Sequence, residues 1–154
     1  MTAEANLELE AFLKKFDSFL IACSEFEESG KWDIEKMGLM SAYFEADLTG
    51  VVLQTMSVDG SFDQAEADVY NRMFSTGCTP DELRETYRLL EPVVDDYCDA
   101  EAPDAIATLS ELDPGLCESY RDLILRACAV VSSSDGIAEG KEIELIEKLK
   151  AALA

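Results

Sequence analysis

The spacing of apolar residues is the sequence feature that most constrains the fold. They recur at steps of three and four, as in the run Phe12, Phe16, Phe19 and Cys23 near the start of the chain. This period is typical of amphipathic helices, whereas half-buried strands alternate apolar and polar residues. The chain has only 8 glycines and 4 prolines in 154 residues, so few positions interrupt a helix. We therefore predict an all-α protein, a compact bundle of about seven or eight helices.

Capping signals place the helix boundaries. A first helix is predicted from about Ala5 to Glu28, where Ser29-Gly30 provides a glycine C-cap. Asp33 is a suitable N-cap for a second helix that runs to Ser57 and is weakened at Gly38. Trp32 is expected to fill the corner between these two helices rather than to anchor a partner.

Three further helix starts are clear in the sequence. Asp63 with Glu66, and Thr79 with Glu82, have the spacing of a capping box, and Asp113 precedes a proline at the first helical position. Gly77 is predicted to end the helix after Asp63, and Pro92 to kink the helix after Thr79. A last helix is expected to bury Ile143, Ile146, Leu149 and Leu153.

The charge balance limits the partners of the chain. There are 33 acidic and 12 basic residues, a formal net charge of −21. Such a surface repels phosphate backbones, so we expect no binding to nucleic acid or anionic membranes, and we expect cations or basic protein surfaces as partners. Solubility alone is the alternative explanation of the acidity. Whether the chain forms a homo-oligomer is left open.

Residue types that enzymes commonly use are missing. The chain has no histidine, which removes the usual general base and the usual partner of a serine or cysteine nucleophile. There is no phosphate-binding glycine loop and no nucleophile-elbow motif either, so we predict no catalytic residues and no enzyme. Five cysteines without a CxxC pair indicate buried thiols in a reducing compartment. With no signal peptide and no membrane span recognisable, a cytoplasmic location is expected.

The two Asp-Gly pairs are the most informative local motif. Asp59-Gly60 and Asp135-Gly136 lie 76 residues apart, and each follows a predicted helix end of small and apolar residues. A glutamate follows each pair at the same offset, Glu66 in the first copy and Glu142 in the second, and an amphipathic helix follows that. The chain therefore contains two copies of an Asp-Gly helix–turn–helix unit.

Two interpretations of these units remain open. In the first, the aspartate and glycine form a turn and the glutamate helps to cap the next helix. In the second, these carboxylates, with Asp63 or Glu139 between them, are oxygen ligands for a hard divalent cation such as Ca²⁺ or Mg²⁺. The spacing does not predict an EF-hand pair, because the first ligand position would fall on Thr55 in one copy and on Val131, which cannot ligate through its side chain, in the other.

The segments VVLQTMSVDGSFDQAEADVYNRMF and LILRACAVVSSSDGIAEGKEIELIEKL resemble the TerB-like family of tellurite-resistance proteins. The resemblance implies a single helical domain over residues 1–154, with repeat units at about 37–76 and 114–153. It also implies a bacterial, cytoplasmic, stress-response module that binds a divalent metal and acts as a scaffold or sensor. By position it assigns the ligands Asp59 and Glu66, and Asp135 and Glu142. The second copy departs from the pattern at Ile137 and Ala138.

The leading hypothesis is a non-enzymatic, cation-binding module that acts through protein partners. Its metal ligands would be drawn from Asp59, Asp63, Glu66, Asp135, Glu139 and Glu142. The alternative is an acidic interaction protein that docks a basic partner, as a mimic of nucleic acid would, and whose Asp-Gly units serve only as helix caps. A carboxylate-based metal hydrolase is the weaker third hypothesis. The acid-rich run is predicted to be a solvated loop, and its acidic members are Asp95, Asp96, Asp99, Glu101 and Asp104.

Overall fold

The computed structural model describes residues 3–57, 60–91, 105–134 and 140–153. Within these ranges the chain forms eight helices and no strand, which confirms the predicted all-α class. The described helices are α1 (Ala3–Glu28), α2 (Ile34–Met37), α3 (Met40–Met56), α4 (Gln64–Phe74), α5 (Pro80–Leu90), α6 (Ala105–Leu112), α7 (Pro114–Ser133) and α8 (Lys141–Leu153).

The predicted second helix is divided in two. Asp33 caps it as expected, since its carboxylate accepts a hydrogen bond from the backbone N–H of Lys36. The helix then ends at Gly38, whose own N–H donates to the carbonyl of Ile34 at 2.8 Å. A new helix, α3, begins two residues later at Met40. Gly38 thus ends a helix where a weakened continuous one was predicted, in line with the low helical propensity of glycine.

The predicted N-caps are confirmed. Asp63 and Glu66 form a complete capping box at α4, and Thr79 and Glu82 form another at α5. Asp113 accepts hydrogen bonds from two backbone N–H groups of the first turn of α7. These contacts satisfy donors that a helix N-terminus otherwise leaves unpaired.

The end of α4 differs from the prediction. The helix ends at Phe74, and its C-cap is Ser75 in the left-handed conformation, not Gly77. The side chain of Asn71 explains this early end. Its Oδ1 accepts from the hydroxyl of Thr76 and from the backbone N–H of Cys78, and its Nδ2 donates to the carbonyl of Cys78. One side chain therefore holds the whole turn between α4 and α5.

Helices α3 and α7 form the centre of the protein. Helix α1 packs along α7 and also contacts α3, while α8 packs against both central helices. Helix α5 covers α3, and α6 covers α7. Most residues of α3 after Phe44 are buried, including Asp47 and Thr55. A helix that is buried on nearly all sides must be a central one, and α3 fits this description.

Aromatic rings join the N-terminal helices to this centre. Phe19 of α1 stacks on Tyr120 of α7 with 5.1 Å between ring centroids, and both rings contact Phe44 of α3. Trp32 is buried beside Phe44, and its indole N–H donates to the carbonyl of Gly38. The expectation that Trp32 fills the first corner of the fold is confirmed.

The described cysteines are unpaired thiols. Cys23, Cys117 and Cys128 are buried, and burial raises the pKa of both Cys23 and Cys128 to about 12. Such thiols remain protonated and unreactive at neutral pH, as predicted. Cys98, the kink at Pro92 and the acid-rich run from Asp95 to Asp104 lie outside the described residues. Over the part of the chain that the structure covers, every helix is too short or too polar to span a membrane.

Candidate functional site

The helices on either side of the two Asp-Gly pairs occupy equivalent positions. Five buried residues of α3 have a buried counterpart 76 residues later in α7 that is similar in position along the helix. The helices that follow repeat the relation: α4 buries Glu66, Tyr70 and Met73, and α8 places Glu142, Ile146 and Leu149 at the same offsets. The corresponding pairs in the central helices are Phe44 and Tyr120, Leu48 and Ile124, Val51 and Ala127, Val52 and Cys128, and Thr55 and Val131.

The first unit is packed tightly against α5. Helix α3 ends at Met56, and Gly60 donates its N–H to the carbonyl of Ser57 at 3.3 Å. Gly60 has φ +77°, and a β-carbon added there would lie 3.2 Å from the ring of Tyr87. Phe62 is buried against the same ring, with 5.9 Å between centroids. This turn therefore requires glycine both for its backbone conformation and for space.

The acidic residues of the first unit cap α4. Asp63 Oδ1 accepts from the backbone N–H of Glu66 at 2.9 Å, and Glu66 Oε1 accepts from the backbone N–H of Asp63 at 3.0 Å. Glu66 is only 7% exposed. Its burial raises the pKa of Glu66 from 4.5 to about 7, although the hydrogen bond from Asp63 lowers it in part. In the first unit, Asp63 and Glu66 therefore act as helix caps, as the first of the two interpretations expects.

The second unit is built differently. Helix α7 ends at Ser133, and the hydroxyl of Ser134 donates to the carbonyl of Val130 at 2.8 Å. Helix α8 begins at Lys141, one residue later than the 76-residue offset from α4 would place it. Glu142 is half-buried, whereas Ile143 is 47% exposed and does not join the core as expected. The inward stripe of α8 passes through Glu142 and Ile146, which are four residues apart, and so it misses Ile143.

The fold brings the two units close enough to interact. The charge of Glu142 contributes to the raised pKa of Glu66, as does the charge of Asp63, after the larger effect of burial. Sequence offset alone could not show this proximity. Helices α4 and α8 both pack against α3, so the two acidic helix starts belong to helices that share one neighbour.

Three of the six predicted ligands are described, and their chemistry suits a hard cation. Asp63, Glu66 and Glu142 offer carboxylate oxygens, which Ca²⁺ and Mg²⁺ prefer. The cap uses one oxygen each of Asp63 and Glu66, and a carboxylate has two, so capping and ligation are compatible. Within the described ranges no three carboxylates or thiols form a group that could hold a metal ion. Asp59, Asp135 and Glu139 lie outside the described residues, and their role stays a prediction.

An EF-hand geometry is excluded. Thr55, which would be the first ligand of such a loop, lies in α3 and donates its hydroxyl to the carbonyl of Val52. Val131 and Ser133, at the equivalent positions of the second copy, lie in α7. An EF-hand loop needs these positions to be non-helical, so the prediction from sequence is confirmed.

One buried polar contact between the units was not predicted. Asp47 of α3 is 8% exposed and accepts a hydrogen bond from the hydroxyl of Tyr120 in α7. The same hydroxyl lies 3.4 Å from the carbonyl of Phe44. Burial of a carboxylate is costly without such a donor. The sequence held one signal for this contact. Asp47 directly precedes the largely apolar stretch Leu48–Leu53, and the second copy has Tyr120 where the first has Phe44.

The fold defines a class: an all-helical protein with two similar helix–turn–helix units, each of which has acidic residues in the first turn of its second helix. Comparison with known families agrees with this. The family described as "Tellurite resistance protein TerB" matches residues 45–154, which is well over half of the chain. The chain therefore belongs to the TerB family. No curated protein and no solved structure gave a significant match.

Proposed function

We propose that this TerB-family chain is a non-enzymatic module that binds a divalent cation between its two Asp-Gly units and acts through protein partners. The described ligands would be Asp63, Glu66 and Glu142, completed by Asp59, Asp135 and Glu139. Binding of Ca²⁺ or Mg²⁺ would tie the α3–α4 unit to the α7–α8 unit. A basic partner would then bind the acidic surface of a protein whose two units are held in one relative arrangement.

The observation that carries the proposal is the environment of Glu66. The residue is only 7% exposed, and the charges of Asp63 and Glu142 both raise its pKa, after the larger effect of burial. Carboxylates that approach one another in a buried setting repel, and a cation bound among them removes this repulsion. Helix caps alone need no such convergence, because Asp63 and Glu66 already satisfy each other.

Thermal unfolding of the chelator-treated protein tests the proposal. The wild type is compared with the double variant Asp59→Asn/Asp135→Asn, with and without Ca²⁺, Mg²⁺ or Mn²⁺. A site filled at about one hundred times its Kd should stabilise the wild type by about 2.7 kcal/mol. For a chain of this size that is a rise in Tm of roughly 5–10 °C. The double variant should lose this gain.

A second variant controls for charge. Asp17→Asn/Glu25→Gln removes two negative charges from the exposed face of α1, away from the units. General screening of the −21 charge would stabilise all three proteins alike. A gain that depends on the cation and disappears only in the Asp59→Asn/Asp135→Asn variant supports the site. Equal gains in all three proteins would contradict it.

The completed capping box favours a second candidate. Asp63 and Glu66 each accept a hydrogen bond from the backbone N–H of the other, so the units can serve as caps while the acidic surface docks a basic partner. Neutralising Asp95, Asp96 and Asp99 tests this candidate. Loss of binding to a basic partner, with an unchanged response to cations, would favour it over the metal module.

The absence of catalysis is part of the proposal and has its own test. A metal with two carboxylates can activate water without histidine, so a hydrolase is the relevant alternative. The purified chain should hydrolyse neither phosphate esters nor peptides in the presence of Mg²⁺ or Mn²⁺. A metal-dependent hydrolysis that disappears in Glu66→Gln would overturn this part of the proposal.

A further inference from the structure

A cavity between α1 and α7 has the opposite charge character from the rest of the protein. It has a volume of about 220 Å³, and we call it the α1–α7 pocket. The chain has 33 acidic and 12 basic residues, yet none of the residues that line this pocket is acidic. The lining residues are Lys14, Lys15, Ser18, Phe19 and Ala22 of α1 and Ser119 of α7.

The pocket follows from the helical period of α1. Its five α1 residues are neighbours or lie three or four positions apart, so they share one face of the helix. At the edge of the pocket, Lys15 Nζ lies 3.8 Å from Asp122 Oδ2, and Arg126 Nε lies 3.1 Å from the same oxygen. One carboxylate is thus shared by two cations. Lys14 lines the same pocket and is exposed on α1.

The floor of the pocket is apolar and firmly held. Phe19 is only 3% exposed, and its ring stacks on Tyr120. Hydroxyl groups on both helices, from Ser18 and Ser119, stand beside the two lysines. Ammonium and hydroxyl groups above an apolar floor are the usual means by which a protein holds an anionic group attached to an apolar body.

We propose that the α1–α7 pocket binds a small organic anion. Its phosphate or carboxylate group lies between Lys14, Lys15 and the two serine hydroxyls, and its apolar part lies against Phe19 and Ala22. The site is separate from the Asp-Gly units. Helix α1 also lies outside residues 45–154, so the stretch that matches the TerB family does not build this pocket by itself.

An NMR titration of the full chain tests the proposal with three probes: phenyl phosphate, benzoate and inorganic phosphate. The variant Lys14→Ala/Lys15→Ala is matched by Lys31→Ala/Lys148→Ala, which removes the same two charges from exposed positions elsewhere. Phenyl phosphate should shift the amide signals of α1 residues 14–22 and of Ser119. In Lys14→Ala/Lys15→Ala, the loss of two charge-assisted contacts should raise the Kd for phenyl phosphate by about tenfold or more. In Lys31→Ala/Lys148→Ala, the same Kd should rise by less than about twofold.

The three probes separate the parts of the pocket. Phenyl phosphate should bind more tightly than inorganic phosphate, because only the former covers Phe19. Equal affinities would overturn the role of the apolar floor. Equal weakening in the two lysine variants would show attraction to charge in general and would overturn the site. Absence of binding by any probe up to ~50 mM would overturn it as well, since even a weak ligand site has a Kd within that range.

Discussion

The two Asp-Gly units share a plan and differ at the start of the helix that follows the turn. In the first, Gly60 and Phe62 pack on Tyr87, and a complete capping box starts α4. In the second, α8 starts one residue later than the offset predicts, after Gly140. The sequence has Ala138 where the first unit has Phe62, so the second unit lacks an equivalent aromatic anchor.

This difference changes the environment of two equivalent glutamates. Glu66 is buried and its pKa is raised to about 7, whereas Glu142 is half-buried. The first unit thus supplies a rigid carboxylate, and the second brings a more accessible one towards it. In a pair of repeats, the same residue type at the same offset can thus have a different environment, because the packing around each copy differs.

The largest expected effect concerns Glu66 and pH. The pKa of Glu66 is about 7 in the folded protein and 4.5 in the unfolded chain, so the folded protein binds the Glu66 proton more tightly. The stabilisation that comes from protonated Glu66 is therefore fully present below pH 4.5 and is lost as the pH rises through about 7. Glu66→Gln should remove this dependence and keep the cap, since glutamine also suits that position. The difference in unfolding free energy between wild type and variant should change by up to about 3 kcal/mol across this range. Urea unfolding at several pH values measures it.

The control for this experiment is Glu25→Gln on the exposed face of α1. It removes one negative charge without removing a buried carboxyl group, so its unfolding free energy should follow that of the wild type across the pH range. Glu142→Gln should act in the same direction as Glu66→Gln but less strongly, because Glu142 is a minor cause of the raised pKa. An unchanged pH slope in Glu66→Gln would contradict the assigned environment.

The next largest effect concerns the pair Phe44 and Tyr120, at which the two repeats differ by one hydroxyl group. Tyr120→Phe makes the repeats identical there and deprives the buried Asp47 of a donor. We expect a loss of about 2 kcal/mol in unfolding free energy, the usual range for a hydrogen bond to a charged group. In an Asp47→Ala background the same change should cost much less. Equal costs in both backgrounds would show that the contact does not stabilise the protein.

Much of the fold was predictable because the determinants are local. The periodicity indicated the helices, and the caps at Asp33, Asp63, Thr79 and Asp113 fixed where they begin. The end of α4 was not predictable from glycine alone, since Asn71 holds the turn through its side chain. A hydrogen-bonded side chain can end a helix before the residue that propensity would choose.

The candidate site was predictable only in part. The 76-residue offset and the capping pattern identified Asp63, Glu66 and Glu142. Their mutual distance depends on how α8 packs on α3, which a sequence pattern does not contain. The α1–α7 pocket was missed for the same reason: Lys14 and Lys15 resemble ordinary surface lysines until α7 places Ser119 and Asp122 beside them.

The smallest expected effect is the difference between alanine substitutions at Gly60 and at Gly140, which distinguishes backbone strain from side-chain packing in the two turns. Gly60 and Gly140 both have positive φ, at +77° and +55°, but only Gly60 has a neighbour, the ring of Tyr87, within contact range of an added β-carbon. Alanine at either position should cost about 1 kcal/mol or more from backbone strain. Gly60→Ala should cost about 1 kcal/mol beyond that, because the Tyr87 ring must move. Urea unfolding measures both, and repeating Gly60→Ala with Tyr87→Leu should remove the excess. If the excess persists there, the tightness of the first unit comes from its backbone and not from its packing on α5.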